Sequence, residues 1–143
     1  MDSYPILPKR ILEAPEVGAK ASFTRTLTEG DVSLFIGATW DVNPLHTSDA
    51  YASATPFKRR IVPGLLTASL ATHLGGLWAF LAREMHFEFL APVYIGDTIS
   101  AEAEITACKP GGEVTIHISM RNTQGVEVAR GEARGFPGKF EEG

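Results

Sequence analysis

The chain has 143 residues, 44% of them hydrophobic and 21% charged, with a formal net charge of -4. That is enough for one domain with a sizeable core, and the acidic balance argues against a nucleic-acid surface, which needs a basic face. A single cysteine, Cys108, excludes an internal disulfide and a thiolate metal cluster, no apolar run is long enough to span a bilayer, and residues 1–5 lack the start of a secretory signal. The expectation is a cytoplasmic protein with no membrane or nucleic-acid partner.

In chain order, residues 1–18 carry Pro5, Pro8 and Pro15 without periodicity, which predicts an extended arm. Ala21, Phe23, Arg25 and Leu27 alternate with Ser22, Thr24 and Thr26, so 20–27 reads as a strand. Thr28-Glu29-Gly30-Asp31 is an N-cap followed by acids in the first turn, and it opens a short helix that ends near Gly37. Trp40-Asp41-Val42-Asn43-Pro44-Leu45-His46 follows. It brings a carboxylate, an amide and an imidazole within reach of one small polar ligand. Pro44 fixes its own φ and pushes Asn43 out of the helical region, which predicts a shaped, non-helical loop holding Asp41 and His46 in fixed relation. Another short helix, capped by Thr47 or Ser48, leads to Thr55-Pro56-Phe57-Lys58-Arg59-Arg60. The basic triplet Lys58, Arg59 and Arg60 reads either as a phosphate-attracting patch or as a solvated surface run.

Ile61-Val62-Pro63-Gly64-Leu65-Leu66 is a tight turn into a helix, and Leu66, Leu70, Leu74, Leu77 and Leu81 recur at helical steps. This predicts one continuous central helix over 64–82. Gly75 and Gly76 inside it point to a close neighbour, a ligand or a break. The rest is strand-like: 84–90, 97–108, 114–120 and 126–136, the last three joined by short glycine turns. Consecutive strands with short turns make an antiparallel meander, and one apolar helix must cover a face of it. The fold class is therefore α+β, a single domain over 1–143 with a polar insertion over 28–60.

The segments Asp41-Val42-Asn43-Pro44-Leu45-His46, Ile61-Val62-Pro63-Gly64-Leu65-Leu66 and Pro92-Val93-Tyr94-Ile95-Gly96-Asp97-Thr98 together resemble the MaoC-like, R-specific enoyl-CoA hydratases, over roughly residues 20–135. The resemblance implies a hot-dog fold, in which an antiparallel sheet wraps a central helix. It implies reversible hydration of a trans-2-enoyl thioester to the R-3-hydroxyacyl thioester. The four scattered histidines make no metal-ligand spacing, so no metal is expected, and no cofactor. By the same resemblance Asp41 and His46 hold the reacting water, Asn43 supports the loop and the Gly64 amide receives the thioester oxygen. A helix hydroxyl, found by counting on from that glycine, falls on Thr72. Leu65 and the basic triplet are the candidate substrate contacts. One departure stands out: many relatives place a histidine before the glycine, where this chain has Pro63.

Adding water across a conjugated thioester needs a base for the water, an acid for the α-carbon and donors for the enolate-like charge. Asp41 and His46 supply the first two in either order, with Trp40, Phe57 and the leucine-rich helix as candidate apolar walls. The acyl group arrives on coenzyme A or on an acyl carrier protein, the second making the chain a 3-hydroxyacyl dehydratase. An acyl-binding protein without chemistry is the reading from another class. Unprotected sheet edges predict a homodimer.

Overall fold

The computed structural model describes residues 16–138, so most of the expected N-terminal arm lies outside the described residues. The elements in order are β1 (Lys20–Thr26), α1 (Glu29–Thr39), α2 (Pro44–Thr47), α3 (Asp49–Ser53), α4 (Gly64–Ala68), α5 (Ala71–Leu77), β2 (Leu81–Phe89), β3 (Thr98–Cys108), β4 (Val114–Arg121) and β5 (Glu127–Phe136). The strands form one antiparallel sheet in the order β1-β3-β4-β5-β2. β3, β4 and β5 are the expected meander. Its second turn is closed by Asn122, whose Oδ1 accepts from the amides of Gln124 and Val126.

Period-two alternation sorts the sheet into two faces. Ile99, Ala101, Ala103 and Ile105 of β3 and Val114, Ile116, Ile118 and Met120 of β4 are buried on one of them. Leu70, Ala71 and Leu74 belong to the same core cluster, so the helical segment lies across that face. The other face carries ion pairs such as Arg130 with Glu88 and Arg134 with Glu84. This is the α+β hot-dog layout.

The central helix is not continuous and does not reach residue 82. α4 and α5 are separated at Ser69 and Leu70, where Leu70, Thr72 and His73 amides bond three residues back instead of four. The Ser69 hydroxyl takes the Leu66 carbonyl at 2.6 Å, which locks the tightened turn. α5 stops at Leu77, where Ala79 adopts a φ of 46° and the Phe80 amide returns to the Gly75 carbonyl. The glycine pair thus marks a helix end with Phe80 packed close beside Gly75. Leu81, counted in the helical stripe, begins β2 instead.

β2 carries an extra residue, Arg83, between its pairings of Ala82 and Glu84 with β5. Such a bulge re-aims a side chain. Here Arg83 reaches Glu113 at 2.7 Å, and the Glu113 side chain is 7% exposed. Hydrogen bonding to Arg83 holds the Glu113 carboxyl below its ordinary value of 4.5. A carboxyl with a depressed folded pKa stabilises the fold above its unfolded value and loses that contribution as pH falls through the folded one. Glu113→Gln should therefore cost about 2 kcal/mol near neutral pH. The gap in melting temperature between it and wild type should close as the pH drops below 4.5. A gap that stays constant with pH would contradict this role.

Candidate active site

The loop between α1 and α2 is built by local hydrogen bonds. α1 begins with a capping box between Thr28 and Asp31 and ends at Trp40 in the left-handed region, with φ 56°. That reversal directs Asp41 back across the following turn. The Asn43 amide donates to Asp41 Oδ1 at 3.3 Å, and Asn43 Oδ1 accepts from the Leu45 amide at 3.0 Å. Asn43 has ψ 125°, as its proline neighbour requires, and it caps α2 with Pro44 in the first turn. Only the first part of the segment is therefore non-helical. His46 sits on the short helical turn, correcting the expectation of an irregular loop throughout.

These contacts leave Asp41 Oδ2 facing His46 Nε2 at 3.7 Å. The imidazole is fixed from behind, with Nδ1 2.8 Å from the Ile61 carbonyl oxygen. A carbonyl only accepts, so Nδ1 carries the proton. In the neutral ring Nε2 then presents a lone pair towards the carboxylate. Two acceptors at this distance do not bond each other, but one water can donate a proton to each. The His46 side chain is 10% exposed and that of Asp41 is 40% exposed. Asp41 therefore stands at the rim with His46 deeper. Trp40 is 82% exposed and forms no wall around the pair.

His46 and Gly64 both line a cleft of about 410 Å³, whose other walls include Phe57, Thr67, Phe89 and Val93. The cleft is held open by backbone pairing: the Ile61 amide donates to the Leu45 carbonyl and the Val62 amide to the Val93 carbonyl. At the start of α4, the amides of Leu66 and Thr67 both bond the Pro63 carbonyl. The Gly64 and Leu65 amides find no acceptor among the described residues, as expected for the first positions of a helix. Pro63 thus removes one donor and leaves the next amide free. A Cβ on Gly64 would stand 3.1 Å from the Phe89 ring.

The remaining expected site residues do not converge there. Thr72 is exposed and returns its hydroxyl to the Ser69 carbonyl at 2.6 Å. It lies with Leu65, which is 66% exposed, along a separate surface depression. The hydroxyl that lines the cleft is that of Thr67, one turn after Gly64. Arg60 is occupied by Glu29 and Asp49 at 2.7 Å and by the His46 carbonyl at 3.2 Å. The hydrogen bonds it donates to Glu29 and then Asp49 raise its pKa further. Arg60 therefore ties α1, α2 and α3 together behind His46 instead of offering a free cation to a phosphate. Arg59 lies over the Tyr94 ring at 4.0 Å. Lys58 is exposed, with φ 68°.

The family model described as "MaoC like domain" matches residues 11–128. The chain belongs to the MaoC-like family. Among its MaoC-like relatives is the (R)-specific enoyl-CoA hydratase of Rhodospirillum rubrum, 36% identical over 121 residues, covering 81% of this chain and 83% of that protein. The (R)-specific enoyl-CoA hydratase of Aeromonas caviae is 35% identical over 125 residues, covering 82% and 92%. The solved structure of the Aeromonas caviae (R)-hydratase superposes with a TM-score of 0.83 at 31% identity, covering 88% of this chain and 99% of that one.

Proposed function

We propose that this MaoC-like chain is a hydro-lyase that reversibly adds water to trans-2-enoyl-CoA to give (R)-3-hydroxyacyl-CoA. The observation that carries the reading is Asp41 Oδ2 set 3.7 Å from a lone-pair-bearing Nε2 of His46, a residue that lines an apolar cleft together with Gly64. Two MaoC-like relatives that carry the hydratase name at 35–36% identity support it.

In this reading the water donates one O–H to His46 Nε2 and the other to Asp41 Oδ2. As its oxygen bonds to the β-carbon, His46 takes the released proton and the nearby Asp41 carboxylate stabilises the imidazolium. The π electrons move to the thioester oxygen, which accepts from the Gly64 amide. The imidazolium then gives its proton to the α-carbon, so the product gains one hydroxyl and one hydrogen from a single water. Asn43 keeps the carboxylate aimed, and Arg60 and Ile61 fix His46. The coenzyme A and carrier-protein forms share this chemistry. Following loss of enoyl absorbance on both carriers separates them, and no loss on either would reject the hydration.

We also propose a homodimer formed through β2. Among the described residues this strand has β5 on one side and no partner on the other, and Met85 and Phe89 are 48% and 52% exposed. Light scattering should give twice the chain's 15.4 kDa. Met85→Lys should shift the protein towards monomer, whereas a monomeric wild type would contradict the arrangement. The lone thiol of Cys108, exposed at the end of β3, favours a reducing, cytoplasmic setting.

A further inference from the structure

One polar group in the cleft is left over from the account above. Thr67 is 2% exposed, lines the cleft beside His46 and Gly64, and its Oγ1 has no hydrogen-bond partner among the described residues. A hydroxyl within a helical stretch ordinarily returns its proton to a carbonyl three or four residues back. The two nearby hydroxyls do so: Ser69 bonds the Leu66 carbonyl and Thr72 the Ser69 carbonyl, each at 2.6 Å. Thr67 differs: neither the Gly64 nor the Pro63 carbonyl, three and four residues back, receives its hydroxyl. An unmet buried hydroxyl is unfavourable, so its retention in a ligand-sized cleft points to a partner that arrives with the ligand.

Thr67 follows Gly64 by three positions, so the two lie on the same face of α4. Side chains on a helix lean towards its N-terminus, which brings the Thr67 hydroxyl back over the turn bearing the Gly64 amide. One carbonyl oxygen has two lone pairs and can accept from both. We propose that the Thr67 hydroxyl contacts substrate directly, donating a second hydrogen bond to the thioester carbonyl oxygen beside the Gly64 amide. This rests on the thioester reading above. It makes Thr67, and not Thr72, the helix hydroxyl that works in the site.

The test compares wild type, Thr67→Val and Thr67→Ser. With crotonyl-CoA, Thr67→Val should lose about 100-fold in kcat/KM. Thr67→Ser, which keeps the donor, should stay within about threefold of wild type. Thr67→Val should melt at the same temperature as wild type or higher, because it removes an unmet polar group. The second readout is the infrared carbonyl stretch of bound butyryl-CoA, a saturated thioester labelled at its carbonyl carbon. The stretch should lie at lower frequency in wild type and Thr67→Ser than in Thr67→Val. Equal frequencies in all three, or a serine variant as impaired as the valine one, would overturn the proposal. A wild type that shows the frequency difference yet hydrates no enoyl thioester would sink the hydration reading and leave the Thr67 contact standing.

Discussion

Asp41→Asn should bind butyryl-CoA as wild type does yet hydrate crotonyl-CoA about a thousandfold more slowly. The substitution is close to isosteric. The side-chain oxygen can still accept from the Asn43 amide, so the loop keeps its shape. What changes is the group facing His46 Nε2 across 3.7 Å, where an amide replaces a carboxylate oxygen. That amide donates where the reacting water must donate, and it brings no charge to stabilise an imidazolium. His46→Ala should be at least as damaging to turnover, and it also strands the Ile61 carbonyl that now accepts from Nδ1. Initial rates on purified variants, beside melting temperatures, check both. Turnover within about tenfold of wild type in Asp41→Asn would remove the carboxylate from the chemistry.

Gly135→Ala should have the largest effect on stability. Gly135 pairs with Ala82 at the β2 bulge, and an added Cβ would overlap the Leu81 carbonyl oxygen and stand 2.9 Å from Ala82 Cα. These are backbone atoms, so no rotamer change relieves the overlap. Strand β2 must move off β5, at a cost of about 3 kcal/mol. For a chain of this length that is a fall of roughly 10 °C in melting temperature. The displacement also loosens the bulge that aims Arg83 at Glu113. A melting temperature unchanged by Gly135→Ala would show that the edge strand yields freely.

Sequence pattern was most informative where the controlling interaction is local. The Thr28 cap, the Pro44 constraint on Asn43, and the alternation of Ile99 to Ile105 against Val114 to Met120 all act within a few residues or through strict period two. It was least informative where distant partners decide. The run of Lys58, Arg59 and Arg60 gave no sign that Arg60 would meet Glu29 and Asp49, which come from earlier helices. The stripe from Leu66 to Leu81 reads as one helix because the Ser69 hydroxyl and the positive φ at Ala79, which interrupt it, leave no trace in periodicity.

The central claim is that one water, held between Asp41 and His46, supplies the hydroxyl of the product. Wild-type protein incubated with crotonyl-CoA in heavy-oxygen water tests it, with the product examined by mass spectrometry and chiral separation. The expected product is (R)-3-hydroxybutyryl-CoA with one heavy oxygen on its β-carbon. Unchanged crotonyl-CoA, the S product or free coenzyme A in its place would contradict the account.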